Sequence, residues 1–172
     1  HARHREINVD FQPGDVLVIL GTTLVIWAVV PEWVEVPGLW TVPHSTPGLT
    51  LVGGASNAGG LFLDWARRRL APLDEAATTS LDPSRVPVWS PYVRGERTPL
   101  HDPDRRAGVV GLDVSNGPAE VWRGAQEASG FVVRQHLELA GLLGAGSGSA
   151  GGGGPGPPVV GRRGGNRGPG GG

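Results

Sequence analysis

Two apolar runs, Val16–Leu20 and Leu24–Val30, flank the small residues Gly21-Thr22-Thr23. Their β-branched content predicts two strands, and the glycine at the break lets the chain reverse or lets a ligand approach the backbone. A polar excursion follows, punctuated by Pro31 and Pro37 and carrying Trp33 and Trp40. Short apolar stretches at 39–43 and 49–52 then predict two more strands in an antiparallel meander. The small-residue run 53–60 (GGASNAGG) opens a stretch in which Leu61, Phe62, Trp65 and Leu70 recur at helical spacing, with Arg67–Arg69 facing outward. Ser56 or Asn57 is positioned to cap that helix. Residues 71–85 are a connector broken by Pro72 and Pro83, with helix limited to one short turn, and 86–89 reads as a strand. The segment 91–99 (PYVRGERTP) is too polar for a core and reads as a functional loop. From 118 to 140, Val121, Trp122, Ala125, Ala128, Phe131, Val132, Leu137 and Leu139 form a helical stripe with Pro118 in its first turn.

Composition divides the chain in two. Of its 172 residues 30 are Gly, and 16 of these lie from Gly141 onward, beside four Pro, three Arg and no acid. So much Gly and Pro cannot offset its ordering entropy by burial, so 141–172 is expected to be disordered. Without Cys there is no disulfide framework, thiolate nucleophile or zinc-thiolate cluster. All fifteen basic residues are Arg, which removes the Lys-dependent phosphate loop, Schiff-base chemistry and the usual kinase lysine. Residues 1–140 hold 12 Arg against 16 acids, a poor charge balance for phosphodiester binding. Arg162, Arg163 and Arg167 lack interleaved aromatics for base stacking, so nucleic acid is disfavoured as a partner. No apolar run reaches a membrane span, and the start has no signal-peptide core, which makes a cytoplasmic location the default. A chain beginning at His1 is expected to be a fragment or a processed product.

Several groups leave their chemistry open. Gly21-Thr22-Thr23 is either a plain hairpin turn or a turn that presents N–H groups and hydroxyls to an anion. The 53–60 run either admits a phosphate to the positive end of a helix or lets that helix pack tightly on a sheet. Glu96 and Arg97 form either a buried ion-pair network or ligand contacts. Asp102 and Asp104 read as turn acids rather than a metal site. His1, His4, His44, His101 and His136 form no paired metal spacing, and singly they need no functional explanation.

Taken in order, residues 14–30 (GDVLVILGTTLVIWAVV), 53–68 (GGASNAGGLFLDWARR), 88–99 (VWSPYVRGERTP) with His101-Asp102 and 108–112, and 117–134 (GPAEVWRGAQEASGFVVR) resemble the C-terminal domain of the FGGY carbohydrate kinases. That group includes xylulokinase, gluconokinase and glycerol kinase, and the resemblance covers roughly residues 10–140. It implies an α/β, ribonuclease H-like (actin/hexokinase-type) domain, incomplete, with ATP held between two such domains and the sugar bound mainly by the other one. It divides the chain into a flexible start (1–12), the partial domain (13–140) and the tail (141–172). By resemblance, Gly21, Thr22 and Thr23 match a phosphate-contacting turn, with the N–H groups of Gly21 and Thr22 and the Thr22 hydroxyl as donors. Gly53 and Gly54 match glycines near the nucleotide phosphates. Glu96, Arg97 and Pro99 match an ER-x-P signature loop that organises the domain.

The implied reaction is in-line transfer of the ATP γ-phosphoryl group to a sugar or polyol hydroxyl, with Mg2+ bound through ATP. Two parts of that pattern are missing from the sequence. Asp10 and Asp15 lack the context of the family's catalytic base. Gly151–Gly154 lacks the strand and helix that would flank an adenosine loop. The chain is therefore expected to be a partial kinase without turnover of its own, paired with an N-terminal kinase domain. A non-catalytic nucleotide-binding or self-associating fragment is the alternative.

Overall fold

β1 (Val16–Leu20) and β2 (Leu24–Val30) form where the apolar runs place them, as an antiparallel hairpin with Leu20 opposite Leu24 and Val16 opposite Ala28. The computed structural model describes residues 11–74 and 76–143. Residues 1–10 of the expected flexible start, with Asp10 among them, and the tail from 144 onward, with Gly151–Gly154, lie outside those residues.

β3 (Trp40–Pro43) and β4 (Thr50–Ser56) complete a four-stranded antiparallel sheet. Its order is β1-β2-β4-β3, not the expected meander. Burial decides this: β4 is buried at every position but Leu51 and pairs with β2 along its whole length, from Leu24–Ser56 to Val30–Thr50. The four-residue β3, ending in Pro43, which lacks a backbone donor, is left at the edge.

β4 also runs further than its apolar residues suggest, continuing through Gly53 and Gly54 to Ser56. A Cβ on Gly53 would collide with the Ile26 carbonyl, and one on Gly54 would come within 2.5 Å of the Thr98 side chain. The two glycines are strand residues chosen for close approach, not the start of a loop.

α1 (Gly60–Arg69) begins three residues later than a Ser56 cap would require. Its N-cap is Gly59, with no side-chain cap bond. The Ser56 hydroxyl instead accepts the Ala58 N–H at 3.0 Å, and the Asn57 amide donates to the carbonyls of Arg94 and Gly95. The connector holds two 3-10 turns, Ala76–Ser80 and Pro83–Arg85, one more than expected. β5 (Val88–Ser90) pairs with β6 (Gly108–Val110) in a small second sheet.

α2 (Pro118–Leu139) opens with proline in its first turn and the Glu120 carboxylate accepting the Gly117 N–H at 2.9 Å. Its buried stripe is Trp122, Ala125, Ser129, Val132 and His136, spaced by three and four residues. Phe131 and Leu139, counted in the expected stripe, are 52% and 40% exposed.

Three apolar clusters result. Leu24, Ile26 and Ala58 meet Tyr92 and Val132, which lays α2 across the β2 face. Phe62 and Ala66 of α1 meet Trp122, Ala125 and Ala128 of α2, with Trp89 edge-on to Phe62 at 5.6 Å. Val30, Leu39 and Val52 close the far end, where Ala140 packs at the C-terminus of α2. Gly124 lets α2 approach the β5 approach segment, because a Cβ there would strike the Pro87 carbonyl.

Candidate functional site

The Gly21-Thr22-Thr23 turn closes the β1–β2 hairpin with Gly21 and Thr22 exposed and Thr23 half-buried. The Gly21 and Thr22 carbonyls accept the first two N–H groups of α1, from Gly60 at 2.7 Å and Leu61 at 3.2 Å. Helix termini leave such donors without intrahelical partners, so the turn and α1 cap each other.

This contact requires the small residues before the helix. A Cβ on Gly59 would meet the Thr23 and Leu24 backbone within 2.6 Å, and one on Gly60 would come within 2.7 Å of the Gly21 oxygen. In the 53–60 run, Gly59 and Gly60 thus give the first turn of α1 the close approach to the Gly21–Thr23 turn on which its first two N–H groups are seated.

The Gly21 N–H, expected as a phosphate donor, is taken by the Thr23 carbonyl at 3.1 Å. Among the described residues the N–H groups of Thr22 and Thr23 donate to nothing, and the Thr22 hydroxyl is likewise unbonded. Gly53 and Gly54 are buried and paired within the sheet, Gly53 to Trp27 on one side and Trp40 on the other, Gly54 to Ile26. Their position explains their identity through packing.

The signature loop holds the turn from behind, with consecutive side chains pinning three different elements. Glu96 is 3% exposed, and its carboxylate accepts the Asn57 N–H, at 3.2 Å to one oxygen and 3.3 Å to the other, together with the Ser56 hydroxyl. Burial raises its pKa above the ordinary carboxylate value against these hydrogen bonds, with the Arg97 charge the weakest opposing influence. Glu96 and Arg97 thus form no ion pair. Arg97 reaches the other way, donating from Nη2 to the Thr23 hydroxyl at 3.1 Å, while its buried Nε has no partner among the described residues.

Thr98, fully buried, shares a 3.0 Å hydrogen bond with His136 Nε2. His136 Nδ1 lies 2.8 Å from the Val132 carbonyl, which can only accept. The proton is therefore assigned to Nδ1, and Nε2 accepts from the Thr98 hydroxyl in a neutral ring. Burial pushes the His136 pKa down, consistent with that form. Pro99 packs against Gly38, where a Cβ would come within 2.5 Å of the Pro99 oxygen. Glu96 and Asp102 exchange backbone hydrogen bonds of 2.8 and 2.9 Å, closing the loop.

The remaining candidates serve local structure. Asp102 accepts the Asp104 N–H at 3.0 Å, as a turn acid does, and Asp15 accepts the Gln12 N–H at 2.8 Å. His101 Nε2 bonds the Gly38 carbonyl at 3.0 Å, and His44 Nδ1 accepts the Thr46 N–H at 2.9 Å. Among the described residues no three or more His, Asp or Glu side chains gather where they could hold a metal ion. No described helix is long and apolar enough to cross a membrane.

Sequence reasoning passed over Ser56, Asn57, Thr98 and His136 as functional residues. For His136 a signal existed: it falls on the 122-125-129-132-136 register, which an apolar-only stripe skips. For the other three nothing local marks the contact, because the partner is about 40 residues away.

Residues 16–145 match the FGGY family of carbohydrate kinases, C-terminal domain. The chain belongs to that family, and its α/β architecture is the one typical of the family's kinase domain. It is 29% identical over 133 residues to the xylulose kinase of Klebsiella pneumoniae, covering 73% of this chain and 28% of that protein. It is 32% identical over 107 residues to the glycerol kinase of Rhizobium meliloti, covering 58% of this chain and 22% of the relative. The crystal structure of xylulose kinase from Rhodospirillum rubrum superposes with a TM-score of 0.69 at 27% identity, over 78% of this chain and 28% of that one. The chain thus spans about a quarter of the length of these relatives.

Proposed function

We propose that this chain supplies the nucleotide-phosphate side of an ATP-dependent sugar or polyol kinase. The observation that carries the reading is the Gly21–Thr23 turn, exposed at Thr22, with two backbone donors and a hydroxyl unspent among the described residues, in a chain of the FGGY family. Oriented N–H groups in a fixed turn bind phosphate oxygens without lysine and need no reorganisation as charge develops. In this reading Thr22 and Thr23 N–H and the Thr22 hydroxyl hold phosphate oxygens. Arg97 fixes Thr23 from behind and adds positive potential there. Glu96 and Thr98 keep that loop registered against β4 and α2. Gly21, Gly53 and Gly54 shape the turn and the sheet beneath it rather than contact the nucleotide.

The domain, residues 13–140, is in this reading a ribonuclease H-like, actin/hexokinase-type unit. It works with a second domain that contributes the sugar site and the aspartate base. Mg2+, carried by the nucleotide phosphates, would offset charge during phosphoryl transfer.

Titrating the chain with ATP and with tripolyphosphate, each with Mg2+, tests the reading by amide NMR. The Thr22 and Thr23 cross-peaks should move with both ligands, and a coupled ADP-release assay with pentoses, hexoses and glycerol should stay at its enzyme-free rate. Unmoved turn amides at saturating ATP would refute the phosphate role. Saturable sugar-dependent turnover would refute the partial character of the site.

A further inference from the structure

Two tryptophans of this fold are exposed, Trp33 at 55% and Trp40 at 42%, and they stand together. With Glu35, Val36, Pro37 and Leu39 they line an open groove of about 750 Å³ beside β3. Three contacts hold its shape. The Thr41 hydroxyl donates to the Val34 carbonyl at 2.5 Å, the Leu39 N–H donates to the Val36 carbonyl at 3.0 Å, and Gly38 is seated on Pro99 without room for a Cβ. The groove is therefore formed before anything occupies it. Its rim is acidic, because the charged side chains between residues 11 and 63 are Asp15, Glu32 and Glu35 alone. Glu32 and Glu35 are exposed and have no ion-pair partner among the described residues.

α2 ends beside this groove. Ala140 packs on the cluster of Val30, Leu39 and Val52, as Val36 does, and both Leu39 and Val36 also line the groove. The described chain stops shortly after, at Leu143. Residues 144–154 are all Gly, Ala or Ser, and Pro155-Gly156-Pro157-Pro158-Val159-Val160 and then Arg162-Arg163 follow them. A Gly/Ser-rich linker of that length has a root-mean-square span of about 17–21 Å. The proline run thus begins within reach of the groove at which α2 ends. Residues 1–10 are worse placed and worse suited. They leave from Phe11, whose ring meets His44 just beyond Pro43, at the end of β3 away from Trp40, and they contain no proline.

We propose that the groove between Trp33 and Trp40 is the docking site of this chain's own segment 155–163, with the prolines against the indole rings and Arg162 and Arg163 against Glu35 and Glu32. A polyproline helix repeats every three residues, so in the bound segment Pro155 and Pro158 share one ridge and Pro157 and Val160 a second. Grooves walled by aromatic side chains receive such ridges, and proline's fixed φ leaves little backbone entropy to lose on docking. Charge favours the same occupant. The tail from Gly141 carries three Arg and no acid, whereas residues 1–140 hold 12 Arg against 16 acids. A segment with no apolar periodicity cannot bury itself, but it can be buried on a surface that the body supplies. Attachment to the same chain gives the segment a millimolar effective concentration, which favours it over a second copy in dilute solution.

The chain has no cysteine, so a nitroxide attached through Gly161→Cys reports on this segment alone. In the dilute full chain the indole N–H signals of Trp33 and Trp40 should lose most of their intensity. Trp122, about 27 Å from Ala140 along α2, should keep its own. Pro157→Ala/Pro158→Ala should restore both groove signals, as should Arg162→Glu/Arg163→Glu in large part. Adding Glu32→Arg/Glu35→Arg to the second variant should bring the loss back. All these positions lie in the tail or on the exposed rim, so the buried clusters are untouched. Undiminished Trp33 and Trp40 signals in the labelled chain would overturn the proposal, whether the groove stays empty or holds residues 1–10. Equal loss at Trp122 would do the same, since the tail would then have no preferred site. So would a loss that also arises when isotope-labelled chain is mixed with a nitroxide-bearing second copy, a loss that persists in Pro157→Ala/Pro158→Ala, or a charge exchange that fails to bring it back.

Discussion

Gly54→Ala separates a packing role for this glycine from a phosphate role. The new Cβ would lie 2.5 Å from Thr98 Cγ2, 2.6 Å from its Oγ1 and 2.9 Å from its Cβ, so Thr98 must move. Thr98 is fully buried and holds His136 Nε2 at 3.0 Å, so movement also separates that pair. Overpacking of this kind costs about 1–3 kcal/mol. Leaving a buried polar partner unmatched adds about 1–3 kcal/mol. A total of about 2–6 kcal/mol is a large share of a small domain's stability, which is of order 5–15 kcal/mol. Urea unfolding followed by tryptophan fluorescence measures it. Thr98→Ala removes both close side-chain atoms, so Gly54→Ala should cost about 1 kcal/mol less, or better, in that background than in the wild type. A loss below about 0.5 kcal/mol, the range of surface substitutions, or strict additivity with Thr98→Ala, would refute the packing argument. A weakened ATP response at unchanged stability would point back to a phosphate contact.

Three further expectations rest on the signature loop. Arg97→Gln should weaken the ATP-induced shifts at Thr22 and Thr23 while leaving the unfolding free energy within about 1 kcal/mol, since a single bond of this kind is modest; equal ATP affinity in the two chains would remove Arg97 from the site. Glu96→Ala leaves the Asn57 N–H and Ser56 hydroxyl without their acceptor and should cost about 2–6 kcal/mol in urea unfolding, at about 1–3 kcal/mol per orphaned group, a loss that a fully stable variant would contradict. His136, held neutral by burial with its pKa below 6.5, contributes stability that is complete above 6.5 and is lost as pH falls through its folded value. The wild type should therefore lose up to about 1.4 kcal/mol per pH unit relative to His136→Gln across that acid window. Glu96 works with the opposite sign, since its raised pKa makes its contribution complete below 4.5 and lost as pH rises through the folded value. Parallel profiles for wild type and His136→Gln would show that the ring titrates freely.

Local pattern determined the parts of this protein whose cause is local. The β1–β2 hairpin and the Gly21–Thr23 break follow from two β-branched runs around a glycine, and α2 with Pro118 at its start follows from apolar spacing and a proline's fixed φ. The residue identities of the turn and the ER-x-P loop were also legible, because the four blocks occur in an order that marks the family. Tertiary structure decided what each group touches. Glycine weakens a strand locally, so β4 read as ending at Val52, yet packing against Ile26 and Thr98 demands the missing Cβ at Gly53 and Gly54. Helix caps are chosen for side-chain acceptors, so Ser56 and Asn57 stood out, yet the turn's own carbonyls supply the acceptors and only Gly59 and Gly60 let them in. Adjacent opposite charges suggested a Glu96–Arg97 pair, but successive side chains of an extended loop point apart, one into the sheet and one to the turn. Periodicity is written residue by residue along the chain, whereas close approach and hydrogen-bond partnership belong to surfaces that meet only after the chain has folded.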